Sequence, residues 1–214
     1  MQLIGRRSSV FTRLPLYFAE KLGVGYEFIA IPDMTALDPA AYADNPALKL
    51  PILRHRGQTL FGALNLCRAI ADEAGASRPG TAIVWPEDLR DATSRNAQEL
   101  VWHAMAAQVQ LVMGTVLAKL PEDNVFFVKA RAGLEGSLAW LDANLDAALA
   151  ALPASRTLSV FEVSLLCLVD HLAFRPTVPL APYARLTAFA QRFGDDDVGR
   201  RTAYRFDVRP DPPA

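Results

Sequence analysis

The sequence has few of the residues that mark secreted or metal-binding proteins. Only two of its 214 residues are cysteines and three are histidines. Two cysteines in a chain of this length make no disulfide framework. Both Cys67 and Cys167 lie in apolar runs with a helical pattern, which fits a reducing compartment. The cysteines and histidines also lack the spacing of metal ligands, so we expect no metal site.

An excess of charge of either sign is also missing. The chain has 22 Lys and Arg against 23 Asp and Glu, and its formal net charge is −1. A face that binds nucleic acid would normally shift this balance to positive values, so we expect no nucleic-acid partner. The first residues lack the basic-then-apolar order of a signal peptide, and no charge-free apolar stretch is long enough to cross a bilayer. We therefore expect no membrane partner and a cytoplasmic location.

Strand and helix patterns alternate in the first third of the sequence. Their order is strand, helix, strand, loop, strand, strand, helix, with a hairpin predicted around Arg56-Gly57-Gln58. Residues 73–86 have the composition of a linker, and helical patterns follow it to the end of the chain. We predict an α/β domain over residues 1–76 and an all-helical domain over residues 87–204.

One helix in the second half has a marked start. Ser159 and Glu162 match a capping box, in which the serine hydroxyl accepts from the third backbone N–H of the helix and the glutamate reaches back to the backbone N–H of the serine. An apolar run over residues 163–174 follows. This pattern predicts a central helix that is buried on most sides.

The segment Asn45–Leu53, Asn-Pro-Ala-Leu-Lys-Leu-Pro-Ile-Leu, lies between the loop and the hairpin. It resembles the Asn-Pro-x-x-Lys-Val-Pro-x-Leu signature of the glutathione transferase superfamily. The resemblance implies a thioredoxin-like N-terminal domain, an all-helical C-terminal domain and a cis peptide bond between Leu50 and Pro51. Because proline has no N–H, the backbone of Leu50 would remain available to pair with the cysteine portion of glutathione.

The N-terminal loop carries a second resemblance. Ser9-Val10-Phe11-Thr12-Arg13 is similar to the Ser-Pro-Phe-x-Arg loop of bacterial, serine-type transferases of the zeta and theta kind. In those proteins a serine near a helix N-terminus donates a hydrogen bond to the glutathione sulfur and favours its thiolate. Alignment on Arg13 selects Ser9, whereas the run Arg7-Ser8-Ser9 resembles the zeta pattern and selects Ser8. The remaining alternative is that Ser8, Ser9 and Thr12 only cap the helix.

The sequence departs from the family between the fourth strand and the following helix. Family members carry an acidic residue and a serine there, which hold the γ-glutamyl group of glutathione, but this chain has Gly62-Ala63. Backbone N–H groups at the helix start remain. Loss of two charge-assisted bonds of about 1–3 kcal/mol each weakens binding about a hundredfold or more, unless another group replaces them. Asn65 and Arg68 are the candidates for that replacement.

The resemblance implies a glutathione transferase with glutathione as its cosubstrate and a small hydrophobic electrophile as its substrate. The residues expected at glutathione are Ser8, Ser9, Phe11, Lys49, Leu50, Pro51, Gly62 and Ala63. The electrophile is expected near Trp102, Met105 and Val109 of the helical domain, and the protein is expected to be a homodimer. The alternative function is a non-catalytic protein-interaction module that has the same fold and is similar to the stringent starvation protein. The replacement at Gly62-Ala63 favours that alternative, and the retained serines and Lys49-Leu50-Pro51 oppose it.

Overall fold

A four-stranded mixed sheet forms the centre of the N-terminal part of the chain. The structure, a computed structural model, describes residues 1–75 and 82–207. Its first elements are β1 (Gln2–Gly5), α1 (Val10–Leu22), β2 (Glu27–Ala30), β3 (Ile52–His55), β4 (Gln58–Phe61) and α2 (Ala63–Glu73). The strand order is β2-β1-β3-β4, with β1 parallel to β2 and antiparallel to β3, and β3 antiparallel to β4.

The predicted hairpin is confirmed, and its turn shows why this sequence forms it. Arg56 and Gly57 connect β3 to β4 with φ angles of 48° and 74°. Two consecutive positive φ angles are typical of the two-residue turn whose twist matches that of the flanking strands. Gly57 adopts this conformation at no steric cost, which places the turn at this dipeptide.

Helices make up most of the second part of the chain. They are α3 (Ala92–Leu111), α4 (Val125–Ala150), α5 (Val160–Phe174) and α6 (Ala184–Gly194), followed by the short α7 (Asp197–Arg201). A thioredoxin-like α/β part followed by a helical part confirms the predicted fold class. The structure adds a parallel pair of two-residue strands, β5 (Ile83–Val84) and β6 (Leu158–Ser159), which the expectation of helices alone did not include. Two-residue strands are too short to show an alternating pattern.

The last described residues belong to the same compact unit as the first ones. This unit contains residues 1–75 and 197–207, and the other unit contains residues 82–196. In the first unit α7 packs against α1. The domain boundaries predicted over 1–76 and 87–204 stay a prediction. Residues 76–81 of the predicted linker and the proline-rich end of the chain, 208–214, lie outside the described residues.

Helix α5 is the central helix of the second unit, as its apolar run predicted. Almost all of its residues are buried, and the Ser159 hydroxyl before it accepts a hydrogen bond from the Glu162 N–H at 3.5 Å. The structure uses the glutamate of the predicted capping box for another contact. Both of its carboxylate oxygens accept from the Arg156 guanidinium, at 2.7 and 2.6 Å. A bidentate pair of this kind ties the loop before β6 to the first turn of α5.

Helix α3 and its continuation form a long apolar stretch. By length and mean hydropathy, Ala92–Leu117 would be able to span a membrane, which corrects the expectation that no segment is long enough. In this structure α3 packs against α4 and α5, and 44% of the most apolar window is buried. The core helix of a globular unit has the same composition, so the stretch is weak evidence for a membrane segment.

The last turns of this stretch are π-helical. Val112–Leu117 follows α3 directly, and the Ala118 N–H donates to the Met113 carbonyl five residues earlier at 3.0 Å. Gly114 lies against the ring of Phe127 at the start of α4, and a Cβ atom on Gly114 would overlap that ring. The close contact between backbone and ring therefore requires glycine at position 114.

We predict that Gly114→Ala destabilises the protein by about 1–3 kcal/mol, because the new methyl group displaces the Phe127 ring. Gly133→Ala is the matched control. Gly133 lies within α4, and nothing is found within 4 Å of the position that a methyl group would take there. The better helix propensity of alanine therefore raises stability by up to about 1 kcal/mol in the control. Denaturant unfolding of both variants measures the difference. Equal free energies of unfolding would contradict the contact.

Candidate functional site

The register of the sheet brings three segments of the chain to the same edge. Ile4 of β1 pairs with Ile52 of β3, and Ile52 pairs with Phe61 of β4. The loop after β1, the residues before β3 and the residues after β4 must therefore start from neighbouring positions. These are the segments that contain Ser8 and Ser9, Lys49–Pro51 and Gly62-Ala63.

The first segment is a turn that leads into α1. The Ser9 N–H donates to the Arg6 carbonyl at 3.0 Å, which closes a turn with Arg7 and Ser8 in its middle. Ser9 is the N-cap of α1, and its hydroxyl accepts from the Thr12 N–H at 3.3 Å. Ser8 is buried, whereas Ser9 is partly exposed. Of the two predicted serines, Ser9 is therefore the more accessible and also the one that caps the helix.

The second segment is held in shape by Asn45. This side chain is 4% exposed; its Nδ2 donates to the Lys49 carbonyl at 2.7 Å and its Oδ1 accepts from the Ala47 N–H at 3.0 Å. The Leu50–Pro51 peptide bond is cis, as the signature predicts. Lys49 is exposed and Pro51 is buried. The asparagine of the signature thus has a structural role that the motif alone did not reveal.

The side chain of Leu50 faces the core of the N-terminal unit. It packs, with Leu48 and Phe61, against a buried cluster that contains Ile4 and Ile52. The same cluster includes Tyr42, the phenol whose pKa is raised by burial, with a smaller contribution from Asp33. The side chain is used for packing, so the group that Leu50 offers to a ligand is its peptide backbone.

The third segment is the start of α2. Gly62 is its N-cap with φ 88° and ψ 134°, a conformation that disfavours any side chain, and within the described residues no side chain there caps the first turn. The first backbone N–H groups of a helix lack intrahelical partners and attract anions. Asn65, a candidate replacement for the missing family residues, donates its amide to the Phe61 carbonyl at 3.0 Å. Arg68 is partly buried.

The remaining predicted site residues lie on two helices. Phe11, in the first turn of α1, is partly exposed. Trp102 and Val109 of α3 are partly exposed, whereas Met105 between them is completely buried. Met105 therefore has a packing contact in the helical unit, and a direct contact of its side chain with a substrate stays a prediction. His171 of α5 is 3% exposed, and its Nδ1 lies 3.2 Å from Nε2 of Gln108.

A cavity of about 670 Å³ lies at a different place on the same sheet. It is lined by residues 1–2, 25–27 and 54–59. His55 and Arg56 on its rim both contact the Glu73 carboxylate, at 3.0 and 2.7 Å, and Gln2 donates to Glu27. The size of this cavity alone points to no chemistry, and none of the predicted site residues lines it. The edge with the three converging segments is the candidate site.

Comparison with solved structures identifies the fold of the chain. A glutathione transferase family member from Pseudomonas fluorescens with bound glutathione superposes with a TM-score of 0.74 and 22% identity, over 95% of this chain and 98% of that one. A glutathione S-transferase from Methylobacillus flagellatus with glutathione bound gives 0.72 and 17%, over 95% and 99%. The chain has the glutathione transferase fold.

A third structure with this fold covers the whole chain. The glutathione S-transferase of Methylobacterium radiotolerans, in complex with glutathione sulfonate, matches with a TM-score of 0.72 and 14% identity, over 100% of this chain and 99% of that one. No protein-family model matches the sequence, and no curated protein matches it at a significant level. At these identities the comparison establishes the glutathione transferase fold of the chain, and its activity is a separate question.

We predict that Asn45→Ala lowers the free energy of unfolding by about 1–3 kcal/mol, because it removes a buried donor and acceptor from the loop. Asn144→Ala is the control, since the Asn144 amide donates to the Trp140 carbonyl one turn earlier in the same helix, α4. That variant changes stability by less than about 0.7 kcal/mol. Thermal and denaturant unfolding would test the pair, and a neutral Asn45→Ala would refute the structural role of this side chain.

Proposed function

We propose that the protein is a glutathione transferase that binds glutathione at the three-segment edge of the sheet. The observation that carries the proposal is the convergence of a helix-capping serine, the Leu50 backbone and the uncapped start of α2 at this edge. A hydroxyl, a peptide backbone and a helix N-terminus suit the thiol, the peptide and a carboxylate of glutathione. Solved proteins with this fold contain glutathione.

Each segment has one role in this proposal. The Leu50 backbone pairs with the cysteine portion of glutathione, next to the buried Pro51. The backbone N–H groups at Ala63 hold the γ-glutamyl carboxylate, and Gly62 allows the close approach of the chain. Lys49 is exposed and offers a cation to a second carboxylate. Phe11 is assigned to the glutathione site only because it matches the phenylalanine of the loop motif.

Ser9 is our candidate for the group that stabilises the thiolate. In the structure its oxygen accepts the hydrogen bond of the helix cap, and a serine hydroxyl retains its own hydrogen for donation at the same time. Capping and thiolate stabilisation are thus compatible roles of one side chain. The positive end of the α1 dipole favours the same anion. Ser8 is the second candidate, and its burial makes it the weaker one.

The reaction needs no covalent intermediate with the protein. The bound thiol releases its proton to solvent, and the thiolate attacks a carbon of the electrophile to form a C–S bond. In a substitution the electron pair of the broken bond departs with the leaving group. In an addition the π pair moves to the neighbouring atom. The protein contributes positioning and a lowered thiol pKa. Three further parts of the proposal are carried over from the family resemblance: an electrophile site near Trp102, Met105 and Val109, a homodimer, and a cytoplasmic location.

A non-catalytic interaction module is the second candidate. The start of α2 favours it, because Gly62-Ala63 supplies none of the side-chain contacts that the family uses for the γ-glutamyl group. The two candidates differ in one measurable property. A transferase binds glutathione in the millimolar range or more tightly, whereas a module with the same fold has no need to bind it.

We predict that Ser9→Ala raises the apparent pKa of the bound glutathione thiol and lowers kcat/KM about tenfold or more, whereas Ser9→Thr keeps most of both. Ser9→Asp separates the two roles of the residue. Its carboxylate still caps α1 but has no hydrogen to donate at neutral pH, so the fold is retained and the thiol pKa rises. Thiolate absorbance against pH measures the pKa, and thermal unfolding measures the cap.

Ser8→Ala is the matched control for this series. A loss of thiolate in Ser8→Ala that Ser9→Ala does not show would move the role to Ser8.

The first experiment to be done is a test of whether the wild-type protein is retained on immobilised glutathione. Absence of both retention and a thermal shift at millimolar glutathione would reject the transferase in favour of the interaction module.

We predict that Ala63→Ser strengthens glutathione binding about tenfold, because the new hydroxyl at the first position of α2 adds a charge-assisted hydrogen bond to the γ-glutamyl carboxylate. Ala69→Ser is the control, since it adds the same hydroxyl to the middle of α2. Calorimetric titration with glutathione measures both affinities. Equal affinities in Ala63→Ser and the wild type would argue against a γ-glutamyl subsite at this helix.

A further inference from the structure

The last described residues of the chain pack on the loop that carries Ser8 and Ser9. The C-terminal segment, defined here as residues 197–207, belongs to the same compact unit as the sheet and α1. It begins with α7, which packs on α1, and ends at Asp207. Residues that are about 200 positions apart in the sequence are therefore neighbours at the candidate site.

Two side chains of this unit attach the C-terminal segment to α1. Arg13 is 2% exposed; its Nη2 donates to the Gly199 carbonyl at 3.4 Å, and its guanidinium lies 4.7 Å from the centre of the Tyr204 ring. The Nε of Arg201 donates to Glu20 at 2.8 Å. These contacts hold the segment at two points along α1 and determine where its end lies.

The Asp207 carboxylate makes the contact that reaches the serine loop. One oxygen accepts from the Arg7 backbone N–H at 2.9 Å, and the other accepts from Arg7 Nη1 at 3.1 Å. The Asp207 side chain is only 8% exposed. A buried carboxylate is retained where charge-assisted hydrogen bonds compensate for lost hydration, and here both come from one residue.

Arg7 is fixed from a second side as well. Its guanidinium lies 3.8 Å from the centre of the Phe28 ring on β2. Arg7 and Ser8 are the middle residues of the turn that the hydrogen bond from Ser9 to Arg6 closes. A carboxylate that holds the Arg7 N–H therefore acts on the backbone immediately before both serines.

We propose that Asp207 is a positioning residue for the serine hydroxyl of the glutathione site. The inference rests on the proposed function and adds to it a part of the chain outside the resembling motifs. Asp207 acts on the serine loop through the backbone of Arg7, and the contacts of Arg13 and Arg201 hold the segment that carries Asp207.

Asp207→Asn tests this proposal at constant side-chain volume. An amide has one acceptor and one donor end, so it satisfies only one of the two Arg7 contacts and opposes the other. Asp197→Asn is the matched control. It makes the same chemical change in the same segment, where Asp197 forms an exposed pair with Arg200 at 2.7 Å.

Two readouts are expected to change in Asp207→Asn and not in Asp197→Asn. Amide hydrogen exchange at residues 7–9 becomes about tenfold faster without a matching change in the sheet, because the turn loses one of its tethers. The ratio of thiolate to thiol of bound glutathione at a given pH falls about three- to tenfold, which corresponds to a thiol pKa higher by about half a unit to one unit. A merely structural role would lower stability without moving the thiol pKa.

The possible failures are distinguishable. If the wild-type protein does not bind glutathione, the proposed function fails, and the positioning of a thiolate-stabilising serine fails with it. If the wild type binds and Asp207→Asn has the wild-type thiol pKa or wild-type exchange at residues 7–9, the positioning role alone is wrong. Equal changes in Asp197→Asn would also overturn it, because they would show a general effect of the segment.

Discussion

The pairing of β1 with β3 and of β3 with β4 is the constraint on which the candidate site depends. Alternate residues of a strand face opposite sides of the sheet, so a slip by one residue would take Ile4 or Ile52 out of the core. Both belong to one buried cluster with Tyr42 and Ile31. Burial thus fixes the register, and the register decides that the loops after β1, before β3 and after β4 lie together.

Most of the groups that meet at this edge belong to the backbone. They are the peptide of Leu50 and the first N–H groups of α2, and Ser9 contributes the accessible hydroxyl. Backbone groups depend on the fold more than on side-chain identity. A chain with 14–22% identity to solved glutathione transferases can therefore keep this edge while it replaces the family's acidic residue and serine by Gly62 and Ala63.

Where the signal is local, the sequence was a good guide to the fold. The hairpin at Arg56-Gly57 and the cap at Ser159 each depend on a few consecutive residues, and both are present. The segment Asn45–Leu53 identified the fold, although the role of Asn45 in holding its loop required coordinates. From the sequence, Ser9 was either a helix cap or a hydrogen-bond donor to a ligand. In the structure its oxygen accepts the capping hydrogen bond, so the hydroxyl hydrogen stays available for donation and both roles are possible together.

Contacts between distant residues were beyond such reasoning. The return of the C-terminal segment brings Asp207 to Arg7, and no periodicity connects two residues 200 positions apart. The contact of the Gly114 backbone with the Phe127 ring, between two different helical segments, likewise follows from no periodicity. The pairing of Glu162 with Arg156 could not be predicted from the capping-box motif either. The motif gives one expected partner for the glutamate and does not show that a nearby arginine forms a stronger, bidentate pair with it.

The most direct test of a glutathione site at this edge is a titration of the isotope-labelled protein with reduced glutathione, followed by amide chemical shifts. We expect saturable shifts concentrated at residues 8–9, 49–50 and 62–65, the three segments that the register brings together. Absence of shifts at millimolar glutathione, or shifts concentrated around residues 54–59 at the other cavity, would contradict it.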